Sequence, residues 1–194
     1  MRRLLFPILF FAFLFWPVVR TQTQQAKTLP LAEALLKAKF NQIDTLIAHQ
    51  HIDSALTRLD TMITVFEDAE NWKAYQEAVV KSAGALTKQK KFEAVQLKIA
   101  NALETLEEAD MGDSLVCAKL WSWQAVNYRR MNNYVDALSS YIEAIELYEN
   151  NSYLGSELAY AYKNAAQIYM RFSENRRALS LLESAIHSDT SGAH

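Results

Sequence analysis

The chain has 194 residues, of which 51% are hydrophobic, and its formal net charge is −2. It contains only four glycines and three prolines. Sheet proteins need many more such residues in their turns, so the composition favours an almost wholly helical protein. A slightly acidic chain also lacks the basic footprint of a nucleic-acid-binding protein.

The first 21 residues have the layout of a secretory signal peptide. Arg2 and Arg3 precede an uncharged, mostly apolar run, Leu4–Val19, and polar residues follow. These 16 residues are short for a membrane-spanning helix, which needs about 20. Cleavage after Thr21 is therefore favoured over retention. The sequence predicts an exported protein, periplasmic or extracellular, with membrane anchoring by residues 4–19 as the alternative.

After a polar spacer at 22–30, apolar residues recur at spacings of three and four almost to the end of the chain. This spacing is typical of amphipathic helices. Gly112 and Ser114 are expected to end one helix and to begin the next. The pattern predicts a repeat domain at 31–188 and a polar tail at 189–194. The expected helix pairs are 31–49 with 53–69, 72–89 with 92–108, 114–131 with 134–149, and 155–172 with 175–188.

Residues that could carry catalysis are few. Cys117 is the only cysteine, so no disulfide can form within the chain, and a helical position favours a buried structural thiol over a catalytic one. His49 and His51 lie two positions apart, which does not bring them to one helical face as a metal site requires. The sequence contains no phosphate-binding glycine loop and no HExxH or GxSxG motif. We therefore expect no enzyme, no metal and no cofactor.

The helix pairs repeat at an interval of about forty residues. Ala83, Ala125 and Ala166 share one register and are 42 and 41 residues apart. Small residues at such positions let two helices approach closely. A fixed period of this length marks a stack of helical repeats.

The clearest repeat resembles a tetratricopeptide repeat, with its order of aromatic, small and tyrosine positions. The residues that carry this resemblance are Trp121, Ala125, Tyr128, Tyr134, Ala137, Tyr141 and Ala144. The period of 40–42 residues exceeds the usual 34 or so, and the turn-forming proline of the family is missing. The resemblance covers 31–188 and implies an all-α solenoid of antiparallel helix pairs, a right-handed superhelix of about four repeats.

The resemblance also implies a non-enzymatic scaffold that binds a protein or peptide on the concave face, which the first helix of each pair lines. Asn164 matches the position where the family commonly holds a peptide backbone. We expect an acidic or carboxylate-bearing segment, with Trp123 as an apolar anchor. The candidate contact residues are Lys81, Lys88, Lys119, Trp123, Asn127, Arg130, Tyr160, Lys163, Asn164, Gln167 and Arg171.

The last helix presents apolar residues and no polar capping helix follows it, although solenoids usually end in one. The residues are Leu179, Leu181, Leu182 and Ile186. This pattern predicts either self-association through the last repeat or a longer protein. Exported proteins with such leading repeats resemble two groups, which carry a CHAT-type peptidase domain or a signalling output module. The alternative function is therefore the N-terminal docking or sensing region of such a protein.

Overall fold

A computed structural model describes residues 33–191, with side chains described as far as residue 188. The predicted signal peptide and spacer lie outside these residues. Within them the chain forms eight helices and no strand, so the all-α prediction is confirmed. The helices are α1 (33–48), α2 (Ile52–Asp68), α3 (Trp72–Lys88), α4 (Phe92–Glu108), α5 (Leu115–Arg130), α6 (Tyr134–Asn150), α7 (Ser156–Arg171) and α8 (Asn175–Ser191).

The helix bounds follow the expected ones closely. The described bounds from α2 to α7 fall within one residue of the predicted bounds. The exception is α8, which continues to Ser191 and so includes part of the segment expected to be a polar tail. Hydrophobic periodicity sets where helices lie, whereas the residue that ends a helix depends on the turn that follows.

The described residues fall into two compact units, 33–45 and 46–191. The described part of the first unit is helical and carries the buried side chains of Phe40 and Ile43. The second unit holds α2 to α8, in which each helix packs against the next. Within it the prediction of a solenoid of antiparallel helix pairs is confirmed.

Each helix from α1 to α7 ends in a turn that contains one residue with positive φ. In the turn after α3, the N–H of Lys91 donates to the carbonyl of Leu86, and the N–H of Lys90 donates to the carbonyl of Thr87. This is the Schellman pattern. The left-handed residues are Gln50, Glu70, Lys90, Asp110, Asn132, Ser152 and Ser173, with φ between 51° and 63°.

None of these left-handed positions is a glycine, which corrects one sequence prediction. Gly112 was expected to end α4, but Asp110 takes the left-handed conformation there, and no described glycine has positive φ. The left-handed residue directly follows the C-cap Ala109, so Gly112 comes two positions too late. Side chains in this conformation cost about 1–2 kcal/mol each, which the packing of the helices has to offset.

Small residues allow the helices of the second unit to approach closely. Ala125 and Ala137, expected at the contact of α5 and α6, are fully buried in one apolar cluster with Tyr141. A second cluster joins α3, α4 and α5 and contains Val79 and Ile99. These clusters fix the backbones of α3, α5 and α7, the first helices of their pairs. They therefore also position the side chains on the face of each of these helices that points away from the clusters.

Candidate functional site

A cleft of about 490 Å³ opens between α5 and α7. α3, α5 and α7 are the first helices of successive pairs. α3 and α5 pack directly on each other, whereas α5 and α7 are separated by the cleft. Aromatic, aliphatic and charged side chains share its walls. They are Lys119, Ser122, Trp123, Val126 and Arg130 of α5, Tyr148 of α6, and Ser156, Glu157 and Tyr160 of α7.

Trp123 forms the wall of the cleft nearest to α3. Its side chain is half-buried, and Gly84 of α3 lies next to its ring. The missing side chain of Gly84 gives the indole room to lie on α3. One face of a large, rigid aromatic group is thereby left for the cleft.

At one end of the cleft, the carboxylate of Glu157 accepts hydrogen bonds from two hydroxyl groups. The hydroxyls of Tyr153 and Ser156 both donate to Oε2 of Glu157, the latter at 3.2 Å. The hydrogen bond from Tyr153, helped by the charge of Lys119, lowers the pKa of Glu157. Burial, together with the hydrogen bond to Glu157 and its charge, raises the pKa of Tyr153 to about 12. At neutral pH this end therefore holds an anion that Lys119 partly balances.

A side-chain bridge links α5 to α7 beside the cleft. Nη1 of Arg129 donates to Oδ1 of Asn164 and, at 3.3 Å, to Oε1 of Gln167. Nδ2 of Asn164 in turn donates to the backbone carbonyl of Tyr160 at 2.7 Å. Sequence reasoning missed Arg129, because helical periodicity placed its neighbour Arg130 on the exposed face. The bridge holds the two helices in register.

Two hydroxyls lie at the floor of the cleft. Oγ of Ser122 and the hydroxyl of Tyr148 are covered, and neither has a partner within hydrogen-bond geometry. Burial raises the pKa of Tyr148, and the nearby Ser122 hydroxyl offsets only part of that rise. Tyr148 therefore stays neutral, and the floor offers a ligand mostly apolar surface.

The structure brings four of the predicted contact residues together in the cleft. They are Lys119, Trp123, Arg130 and Tyr160. Lys163 of α7 and Lys88 of α3 are exposed outside its lining, and Lys81 is half-buried in α3. The predicted set thus falls into a compact group around the cleft and separate cations along the same helices.

Four other predicted contact residues each have a polar or charged group in contact with the rest of the protein. Asn127 is 2% exposed, and its Nδ2 donates to the carbonyl of Phe92 at 3.0 Å. Asn164 and Gln167 are held by Arg129. The guanidinium of Arg171 lies 4.2 Å from the centre of the Tyr134 ring. These side chains fasten helices to one another, so we leave them out of the proposed contact set.

The described residues contain neither a candidate metal cluster nor an exposed thiol. Within 33–188, no group of three or more His, Cys, Asp or Glu side chains is placed to hold a metal ion. The prediction that Cys117 is buried is confirmed: its thiol donates to the carbonyl of Met111 at 3.3 Å, and burial raises its pKa. A raised pKa makes a thiol a poor nucleophile. In the same part of the chain, no helix combines the length and apolar character that crossing a bilayer requires.

Comparison with known proteins identifies the fold and leaves the family open. No family model and no curated protein matches the chain. The apo form of RapI matches with a TM-score of 0.67 and 14% identity, over 78% of this chain and 42% of RapI. BtubC (BKLC) from P. vanneervenii matches with a TM-score of 0.63 and 15% identity, over 87% of this chain and 69% of BtubC. Both are helical-repeat solenoids, and at these identities the similarity concerns the fold.

Proposed function

We propose that the protein is an interaction scaffold that binds a segment of another protein in the cleft between α5 and α7. The cleft itself carries this proposal. Its volume of about 490 Å³ lies within the range of about 300–1,000 Å³ that is common for ligand sites. Trp123 and Tyr160 face it, and tryptophan and tyrosine dominate the binding energy of many protein interfaces.

The charge of the helices supports an acidic ligand. The helices α3, α5 and α7 together carry eight basic and two acidic residues, whereas α2, α4 and α6 carry twelve acidic and two basic ones. The side of the unit that holds the cleft is thus basic in a chain that is acidic as a whole. Such a field attracts an acidic segment and speeds its encounter. Lys119 and Arg130 are the cations closest to the bound segment.

The ligand we infer is an extended acidic segment with one large apolar side chain. The apolar side chain packs between Trp123 and Tyr160, while acidic groups approach Arg130 and Lys119 balances the charge of Glu157. Glu157 sets a limit on this arrangement, because its ionised carboxylate repels an acid placed beside it. We therefore expect the acidic positions to lie nearer Arg130 than Glu157.

Selection of peptides on the purified protein tests the proposal. Peptides isolated from a random displayed library are synthesised and titrated by calorimetry. We expect acidic sequences with an aromatic or large aliphatic residue, and we expect Lys119→Glu to weaken them at least tenfold. Lys90→Glu is the matched control, since it makes the same change of charge in the turn after α3 and should leave affinity nearly unchanged. Selected peptides that bind Trp123→Ala and Lys119→Glu as tightly as wild type would place binding elsewhere.

Export and docking within a larger protein are two further proposals about the whole protein. Export rests on the layout of residues 1–21, with Arg2 and Arg3 before the apolar run Leu4–Val19, and the N-terminal sequence of the protein recovered from cells tests it. A free amino terminus near Gln22 supports export with cleavage, whereas Met1 supports a retained anchor. Docking within a larger CHAT-type or signalling protein is the alternative function. It uses the same cleft, and a reading frame that continues beyond His194 would support it.

A further inference from the structure

One exposed stripe runs along α8, opposite the face that it buries. Ala178, Ala185 and Ser188 are buried. Exposed side chains follow at spacings of three and four, which places them in a row on the helix. They are Arg176, Leu179, Glu183 and Ile186, with Leu179 59% and Ile186 67% exposed.

The preceding repeat shows what this stripe does elsewhere in the molecule. On α6, 41 residues earlier, the positions of Leu179 and Ile186 are taken by Leu138 and Ile145. Ile145 is only 6% exposed, because it belongs to the apolar cluster that α6 forms with α7. The stripe is therefore the surface on which a further helix stacks, and on α8 the same surface is exposed.

A charge in the middle of the stripe decides which kind of helix fits it. Glu183 stands where α6 carries the apolar Ile142. A helix with an apolar face like that of α7 would bury the carboxylate of Glu183 without a counter-charge, which is costly. A fitting partner has to supply a cation beside its aliphatic side chains. The stripe supplies one itself, because Arg176 lies seven residues before Glu183, with Leu179 between them.

We propose that two copies of the chain associate through α8, with the two helices antiparallel and related by a twofold axis. Across a twofold axis each contact between two different residues occurs twice, once in each direction. Arg176 of each copy then approaches Glu183 of the other, and the Leu179 side chains of the two copies cover one another between the two ion pairs, with Ile186 beyond each pair at the edge of the interface. Because one helical stripe is smaller than a standard interface, the dimer is weak and its population depends on concentration.

A charge-swap series on the full chain tests the pairing, with mass measured by sedimentation equilibrium over a range of concentrations. Every variant keeps residues 1–21, so any self-association of that segment is common to all. The wild type should be a concentration-dependent dimer. Arg176→Glu and Glu183→Arg should each shift the protein to monomer, and the double variant should restore the dimer. Lys90→Glu changes the charge by the same amount as Arg176→Glu and should dimerise like the wild type.

Leu179→Ser provides a second measurement that does not depend on charge. It should weaken the dimer at least tenfold without loss of helix content, since Leu179 is exposed and its loss leaves no cavity in the monomer. A wild-type chain that stays monomeric at all concentrations would overturn the proposal. So would a dimer that Leu179→Ser leaves unchanged, or a double charge swap that fails to restore association.

Discussion

The indole of Trp123 lies against Gly84, so that a Cβ added at Gly84 would be 3.7 Å from Cη2 of Trp123. This distance is an ordinary van der Waals contact. A glycine within a helix costs about 0.5–1 kcal/mol relative to alanine. Gly84 therefore lowers the stability of α3, and it gives the Trp123 side chain of α5 room to pack on α3.

Gly84→Ala should raise the free energy of unfolding by about 0.5–1 kcal/mol, because the methyl group fits and the helix gains propensity. Gly84→Leu should displace the indole and weaken peptide binding, since a larger side chain cannot share the space. Urea unfolding and tryptophan fluorescence measure the two effects. A loss of stability in Gly84→Ala would show that the indole presses on α3 more tightly than the structure indicates.

The left-handed turns predict a second stabilising change. Lys90 has a φ of 58°, a conformation that costs a residue with a Cβ about 1–2 kcal/mol. Glycine avoids this cost, but it loses more conformational entropy on folding, which offsets part of the gain in stability. Lys90→Gly should therefore raise the free energy of unfolding by about 0.5–1 kcal/mol. Asn132→Gly should gain less, because asparagine tolerates this conformation. Equal gains at both positions, measured by urea unfolding, would contradict the strain argument.

Asn127 should matter for stability and not for binding. Its amide joins α5 to the start of α4 at 3.0 Å, so Asn127→Ala removes a buried hydrogen bond and should lower the free energy of unfolding by about 1–2 kcal/mol. Exposed Lys163→Ala should change stability by less than about 0.5 kcal/mol. Calorimetric titration of folded Asn127→Ala with a selected peptide should give nearly the wild-type affinity. A large loss of affinity would return Asn127 to the contact set.

Glu157 predicts a pH-dependent contribution to stability. Its pKa is lowered in the folded protein, with the hydrogen bond from Tyr153 as the largest cause. A lowered folded pKa gives stability that is present above the unfolded value and lost as the pH falls through the folded value. Tyr153→Phe should therefore lower the free energy of unfolding at pH 7, and its difference from wild type should shrink at a pH below the ordinary glutamate pKa. A difference in the free energy of unfolding between Tyr153→Phe and wild type that is the same at both pH values would contradict this interpretation.

Much of the fold could be predicted from the sequence, because helix stacking depends on properties that the sequence displays directly. Apolar spacing locates the helices, and small residues such as Ala125 and Ala137 mark where they touch. The turns were harder to predict. At Asp110 the left-handed conformation is imposed by the packing of the helices on both sides, so the nearby Gly112 misled the sequence argument.

The cleft could be predicted only in part. Lys119, Trp123 and Tyr160 follow from helical periodicity, which places them on the face that the core leaves open. The same periodicity could not show that Asn127 is buried under α4 or that Arg129 joins α5 to α7. A polar side chain is used in a contact within the protein when the neighbouring repeat places a suitable partner beside it. The spacing of residues along one helix carries no information about that partner.

The most direct test of the proposed function is the indole N–H resonance of Trp123, followed by nuclear magnetic resonance during titration with a selected acidic peptide. Trp123→Phe assigns the resonance among the four tryptophans of the chain. Binding in the cleft predicts that the Trp123 signal shifts and saturates with the affinity found by calorimetry, while Trp72, in the core around α3, moves little. A peptide that binds by calorimetry and leaves the Trp123 resonance in place would contradict the account.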